Sequence, residues 1–284
     1  MMCVSLDKER TMGKFNGFLI CTDLDGTLLC NDKTISDENL SAIEYFKQEG
    51  GFFTFVTGRM PFFVSHVYDR IKPNAPIGCI NGGGLYDYPN QTYLWQGTMP
   101  DGVVDLIRSV DEAVPNVGIQ VNTFYHTYFS KENPVMQEFR RLTGLPNLTC
   151  HYSEVTEPIA KIVFGSEAES DVLEGMRILR SHPEAHRFDF IRSERTLFEI
   201  LPKGVGKGTA IRNLVNHLGL DIHKTIAIGD YNNDISMFHA AKVGIAVSNA
   251  CEEALAAADY ITVSNEESAI ARVIADLEAG KLPL

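Results

Sequence analysis

Apolar and polar positions along the chain change their spacing several times, and each change marks an element. Residues 17–22 are an almost unbroken apolar run, the pattern of a strand buried on both faces. Ser36 then stands where a helix cap belongs. Leu40, Ile43 and Phe46 follow at helical spacing until Gly50-Gly51 ends them. Residues 52–56 are rich in β-formers, Thr57-Gly58-Arg59 closes them, and Pro61 suits the first turn of a helix. A short third strand over 77–80 runs into Asn81-Gly82-Gly83-Gly84. Strands alternating with helices predict a parallel sheet covered on both faces.

From residue 85 the rhythm differs. Residues 85–88 and 92–96 read as a hairpin turned at Pro89-Asn90, a helix follows over about 101–113, and 117–121 with 124–129 suggest a second hairpin. Mixed elements continue to Leu197-Phe198-Glu199-Ile200-Leu201. The α/β rhythm returns after Lys203. A helix starts near Lys207 with Ala210, Ile211, Leu214, Val215 and Leu218 on one stripe, and a strand over 225–228 ends in Gly229-Asp230. Phe238 closes a short helix, 243–247 is a strand, and two further units reach the C-terminus. The expected organisation is one discontinuous α/β domain, residues 1–84 and 202–284, interrupted by an α+β segment over 85–201.

At 284 residues such a chain can bury a sizeable core, and 44% hydrophobic with 22% charged residues is ordinary for a globular protein. The formal net charge of -12 repels nucleic acid and anionic membrane, so neither is expected as a partner. An anionic substrate would need local positive charge or a metal. No apolar run approaches the roughly 20 residues that span a bilayer. Residues 1–16 are polar and mixed in charge, read as a frayed leader in which Met12 offers an alternative start. The six cysteines (Cys3, Cys21, Cys30, Cys79, Cys150, Cys251) form no C-x-x-C, which suits buried thiols in a reducing cytoplasm. His182 and His186 have the i, i+4 spacing of a zinc pair, but Pro183 between them argues against it.

Four predicted strand ends carry polar residues where an α/β sheet presents ligands. The first is Asp23-Leu24-Asp25-Gly26-Thr27-Leu28. If extended geometry lasts to Asp25, its period of 2 puts both acids on one side. The tripeptide alone could be a surface turn. The apolar lead and the Gly-Thr-Leu that follows favour a nucleophilic carboxylate beside a general acid and base. The second is Thr57-Gly58-Arg59, whose hydroxyl and backbone N–H groups suit a phosphate or simply end a strand. The third, Lys203-Gly204-Val205-Gly206-Lys207-Gly208, lacks the G-x-x-x-x-G-K-[ST] nucleotide loop. A lysine at a helix start nonetheless wants an anion facing it. The fourth is Gly229-Asp230-Tyr231-Asn232-Asn233-Asp234, where two acids one turn apart suit a magnesium site completed by waters.

This ordered set resembles the haloacid dehalogenase (HAD) phosphatase superfamily over nearly the whole chain. The four groups look like its four motifs, and the insertion is similar to the C2B cap of the Cof-like sugar-phosphatase branch, subfamily IIB. Asn81-Gly82-Gly83 and Glu199-Ile200 with Lys207-Gly208 also look like that branch. A departure stands at Ser264-Asn265-Glu266-Glu267-Ser268-Ala269, where Ser268 replaces the glycine of an Asp-Gly-Val-type turn. The resemblance implies a Rossmann-like three-layer core with an inserted α+β cap that chooses the leaving group.

The resemblance further implies phosphoryl transfer from a small phosphate monoester, a sugar phosphate foremost, in two steps. Asp23 would form an aspartyl-phosphate and Asp25 would act as acid, then base. Mg²⁺ would be held by Asp23, the Asp25 backbone carbonyl and Asp230, with Asn233 and Asp234 placing its waters or Lys207. Thr57 and Lys207 would bind the transferring oxygens. Gly58, Arg59, Asn81 and Asn233 complete the expected substrate side, although Arg59 could instead pair with an acid and Asn81 could only shape its turn. His126, Tyr128 and Arg192 are too ambiguous to assign. A phosphomutase that moves phosphate between sugar hydroxyls, and a non-catalytic phosphometabolite sensor, remain alternatives. A membrane ATPase is excluded by the absence of spanning segments, and a dehalogenase is disfavoured because Asp25 has work only in phosphate chemistry.

Overall fold

A computed structural model describes residues 13–284. The leader and Met12 lie almost entirely outside these residues. Phe15, which the leader would have left loose, is instead buried against Tyr45 and Phe46.

The first β/α units are β1 (Leu19–Thr22), α1 (Asp37–Gln48), β2 (Phe52–Phe55), α2 (Ser65–Ile71) and β3 (Ile77–Cys79). Ser36 caps α1 as its sequence predicts, its side chain accepting from the Asn39 N–H. A hairpin follows, β4 (Gly84–Asp87) and β5 (Thr92–Gln96). Next come α3 (Val103–Ala113), β6 (Gly118–Thr123), β7 (Thr127–Lys131), α4 (Pro134–Thr143), β8 (Ile159–Gly165), α5 (Glu169–Ser181), β9 (Phe188–Arg192) and β10 (Leu197–Pro202). The chain then returns through α6 (Lys207–Leu218), β11 (Thr225–Gly229), α7 (Ile235–Ala240), β12 (Val243–Ala246), α8 (Glu252–Ala257), β13 (Tyr260–Ile261) and α9 (Ala269–Glu278).

The principal sheet is parallel, in the order β13-β12-β11-β1-β2. Strand β1, beside the middle strand β11, is wholly buried, and its side chains alternate between two apolar layers. Ile20 joins Phe53 and Phe55 beneath α1, α2 and α9. Leu19 and Cys21 pack on the other side against Ile211 and Leu214 of α6 and Met237 and Phe238 of α7. The result is the three-layer α/β arrangement expected from the sequence. Because β1 goes on to β2 on one side and meets β11 on the other, a crevice opens at the carboxyl ends of β1 and β11.

The β4–β5 hairpin differs from its expected grouping with the insertion. It pairs with β3, which continues from β2 through a bridge between Val56 and Gly78, and Leu85 packs with Ala210 and Ile211 of α6. Apolar contact with α6 outweighs its place in the chain. The second sheet is antiparallel, β7-β6-β8-β10-β9, with α3 and α5 on one face over Ile119, Val121, Ile162, Phe164 and Phe198. β10 leaves this sheet and reaches α6 within five residues.

At the C-terminal edge, Ser268 adopts φ +59° and ψ 53° before α9, so the left-handed turn survives the loss of its glycine. Such a conformation costs a non-glycine residue about 1 kcal/mol. The Ser268 hydroxyl meets the Ser36 hydroxyl at 2.9 Å, tying the starts of α1 and α9. Glycine and alanine at 268 both lack that contact and differ mainly in backbone freedom. Ser268→Gly is expected to be about 1 kcal/mol more stable than Ser268→Ala in urea unfolding, and equal stabilities would contradict the strained turn.

Candidate active site

The ends of β1, β2 and β11 and the start of α6 bring the predicted residues together. The Asp23 N–H donates to the Ile228 carbonyl at 2.8 Å, extending the β1–β11 ladder by one residue and fixing the first acid at the crevice. Gly26 turns the chain with φ +79°, and a Cβ there would sit 2.6 Å from Asp230 Oδ2. The close passage lets the Thr27 hydroxyl donate to Asp230 Oδ1 at 2.6 Å. Thr27 was not singled out in the sequence, although it lies inside the motif.

Lys207 is the pivot. Its side chain is 1% exposed, with Nζ 2.7 Å from Asp23 Oδ1 and 2.5 Å from Asp234 Oδ1. The two carboxylates outweigh burial and hold the ammonium charged, well above the usual lysine range. The other oxygen of Asp234 accepts the N–H groups of Asp230 at 2.9 Å and Tyr231 at 3.0 Å. Asp234 is thus engaged by protein donors on both oxygens, which suits placing Lys207 better than direct metal ligation. Asp23 and Asp230 each keep one oxygen without a hydrogen-bond partner among the described residues.

Oxygens of Asp23, Asp230 and Asp234 all lie within 4.8 Å of one another. Burial pushes the Asp23 carboxyl up to about 7 despite the pull of Lys207, with Asp234 and Asp230 adding to the rise. Burial likewise pushes Asp230 up to about 6, in spite of the Thr27 hydrogen bond and with help from Asp234. Three crowded acids share one ammonium. A divalent cation fits this set, because hard oxygen ligands with surplus negative charge are what such ions bind.

Asp25 lies apart from that cluster. Arg59 grips it with two hydrogen bonds, Nε to Oδ2 at 2.9 Å and Nη2 to Oδ1 at 2.7 Å, and Lys33 Nζ adds a third at 2.9 Å. Burial acts to raise its pKa, but Arg59 and Lys33 together hold the carboxyl below its usual range. Of the two expectations for Arg59, pairing with an acid is the one seen. The Asp25 carboxylate is therefore not among the grouped metal-ligating oxygens.

Thr57 is buried, and its Oγ1 accepts from the Arg59 N–H at 3.2 Å. Ile80, Asn81 and Gly82 follow β3 with φ of +56°, +52° and +84°. Three left-handed residues in succession are rare and store strain, least tolerable at β-branched Ile80. They turn the Asn81 side chain inward. Asn233 Nδ2 donates to Asn81 Oδ1 at 3.1 Å, and Asn81 Nδ2 donates to Glu199 Oε2 at 3.2 Å. Glu199 of β10 also meets Lys161 of β8 at 3.2 Å, and Lys161 Nζ lies 3.4 Å from the Gly58 carbonyl. Lys161 was missed in the sequence. Its signal was a single charge inside the apolar run Ile159-Ala160-Lys161-Ile162-Val163.

Other candidates have ordinary partners. His126 and Tyr128 both bind Glu157, and Arg192 pairs with Glu169. His182 follows α5 and its Nδ1 accepts the Glu184 N–H, while His186 Nδ1 faces the Pro183 carbonyl, and neither belongs to a cluster of three metal-ligating side chains among the described residues. The Cys21 and Cys79 thiols are buried and pushed up by that burial. A cleft of about 360 Å³ lined by Phe62, Tyr86, Tyr93, Phe124 and Tyr125 contains none of the predicted site residues. No helix of the described residues is long and apolar enough to cross a membrane.

Comparison with known proteins agrees with this geometry. Residues 20–274 match the family profile described as haloacid dehalogenase-like hydrolase. The chain is 26% identical over 262 residues to the 5-amino-6-(5-phospho-D-ribitylamino)uracil phosphatase YitU of Bacillus subtilis, covering 90% of this chain and 96% of the relative. A solved structure from Thermotoga maritima, TM0651, superposes with a TM-score of 0.78 at 26% identity, over 91% of this chain and 96% of that one. The HAD subclass IIB sugar phosphatase BT4131 shares the fold, with a TM-score of 0.79 at 21% identity over 92% of this chain and 98% of that one. The chain belongs to the haloacid dehalogenase-like hydrolase family, as a phosphatase of its Cof-like branch.

Proposed function

We propose that this protein is a Mg²⁺-dependent phosphatase of small phosphate monoesters, sugar phosphates foremost, working through an aspartyl-phosphate on Asp23. The observation that carries the reading is the buried Lys207 ammonium held between Asp23 and Asp234 beside Asp230. It is a preorganised seat for a phosphoryl group and its counter-charge.

In this reading an Asp23 oxygen attacks phosphorus, and the bond from phosphorus to the ester oxygen breaks. The leaving alkoxide takes the proton of Asp25. Asp25 then removes a proton from water, whose oxygen attacks phosphorus. The bond to Asp23 breaks, releasing phosphate and restoring the carboxylate. Acid–base help of this kind contributes roughly 10²–10⁴-fold. Lys207 and Thr57 bind the non-bridging oxygens, while Asp234 and Asn233 keep Lys207 and Asn81 in place. A magnesium ion held by Asp23, Asp230 and the Asp25 backbone carbonyl would neutralise charge between nucleophile and phosphate. Asp25 needs a proton for the first step, so its pairing with Arg59 and Lys33 must loosen when the dianionic ester arrives and competes for those cations.

The first test is phosphate release from a panel of esters by the wild type and Asp23→Asn. The substitution is expected to cost roughly three orders of magnitude or more in kcat while leaving folding intact. A near-native rate would overturn the role of Asp23.

A second prediction concerns pH. Asp23 and Asp230 hold protons in the metal-free folded state that the unfolded chain releases above its ordinary value of 3.8. Their contribution to stability is complete below that value and is lost as pH rises towards about 7. Asp25 acts in the opposite sense and only at lower pH. A divalent cation needs the deprotonated forms and offsets the loss. The rise in melting temperature on adding Mg²⁺ is therefore expected to be larger at pH 8 than at pH 5, and an equal rise would argue against this site.

A further inference from the structure

β6 alternates strictly. Ile119 and Val121 enter the apolar layer under α3 and α5, while Gln120 and Asn122 face the other way. That face is covered, since each amide is only 2% exposed. Asn122 stands directly across from Lys161 on β8, so the two share a face. Gln120 lies across from Val163, which in turn pairs with Glu199 on β10. Lys161 reaches the Gly58 carbonyl and Glu199 reaches Asn81. The two amides thus lie on the side of the second sheet that is turned towards the Thr57–Arg59 turn.

Their hydrogen bonding is incomplete. Asn122 Oδ1 accepts from Gln120 Nε2 at 3.2 Å and from the Thr127 hydroxyl at 2.9 Å. Gln120 Oε1 and Asn122 Nδ2 have no partner among the described residues. Turning both amides over together keeps the contact between them and exchanges which one offers the free donor and which the free acceptor. Native interiors rarely carry a buried acceptor and a buried donor side by side without a use for them. An acceptor next to a donor matches a hydroxyl group, which both donates and accepts, or two neighbouring hydroxyls. The Lys161 charge is met by Glu199, so this surface is polar without offering a free cation.

We propose that Gln120 and Asn122 are the specificity residues for the alcohol half of the ester. Gln120 Oε1 accepts from one hydroxyl of a polyhydroxylated leaving group, and Asn122 Nδ2 donates to the same or the adjacent one. The inference rests on the phosphatase reading and adds to it the residues that choose the leaving group. A site built to pair with a hydroxyl rejects an analogue without one, since its own buried groups then stay unpaired.

The test compares aldose and alditol phosphates with n-propyl phosphate, which presents the same phosphate and no hydroxyl. Gln120→Met keeps side-chain length and removes the unpaired acceptor. It is expected to lower kcat/KM for the best polyol ester about tenfold, to leave n-propyl phosphate within about twofold, and to keep or raise the melting temperature. Asn122→Asp keeps the oxygen that Gln120 and Thr127 use, removes the free donor, and is expected to show the same selective loss. Equal losses on both esters, or a fall in melting temperature with unchanged preference between them, would mark the amides as structural and overturn the inference. A wild type that hydrolyses n-propyl phosphate as well as every polyol ester would overturn this inference alone. A folded wild type that hydrolyses none of these esters would overturn the phosphatase reading as well.

Discussion

A lysine ammonium with almost no exposure to water is tolerable only where carboxylates surround it, and in this protein that requirement fixes where three separate segments meet. Asp23 follows β1, Asp234 follows the neighbouring parallel strand, and Lys207 opens the helix packed beneath both. Breaking a buried ion pair by removing one partner leaves an uncompensated charge and typically costs about 3–5 kcal/mol. The parallel order of β1 and β11 and the position of α6 are therefore coupled to the charge state of one small volume. That volume also carries an acid beyond what Lys207 can neutralise, since Asp230 belongs to the same cluster. The same crowding that destabilises the metal-free fold makes a divalent cation a fitting occupant of the cluster.

The second sheet is tied to this centre by polar contacts of the same kind. Asn81 is turned inward by a strained run of backbone and links Asn233 of the phosphate side to Glu199 of the insertion. Glu199 holds Lys161, whose ammonium returns to the Gly58 carbonyl. Asn81, Glu199 and Lys161 are all buried, so each polar group in this chain of contacts is met by a partner rather than by water.

That Asp23, Lys207, Asp230 and Asp234 would meet at one end of the sheet was legible in the sequence, and the physical reason is local. Asp23, Thr57 and Asp230 each sit where an apolar run stops, so their positions follow from strand ends, and Lys207 stands at the start of a helix stripe. The insertion was harder. The alternation of Ile119-Gln120-Val121-Asn122 shows that the two amides share a face, but the usual meaning of that pattern is a face open to water. What buries it is long-range: α4 and Phe63 pack on the neighbouring Phe129 and Val163, and the Thr57–Arg59 turn approaches through Lys161. The partner of Arg59 was equally unreadable, because Asp25 lies 34 positions away and the pairing depends on how two loops lean together. The hairpin over 84–96 was grouped with the insertion because it follows a change of rhythm, whereas its packing on α6 is a long-range fact.

Gly82, where the chain leaves β3, lies against Gly206, where it comes back to α6. A Cβ on Gly82 would stand 2.0 Å from the Gly206 carbonyl oxygen. The outgoing and returning strands of chain therefore touch, backbone to backbone, one residue from Lys207. The chain beyond the β4–β5 hairpin hangs from a closed doorway whose two posts are already side by side. Such an insertion can be lengthened, shortened or exchanged over evolutionary time without moving the posts. A lineage could acquire a new substrate by replacing what hangs there while the phosphate chemistry next door stays undisturbed.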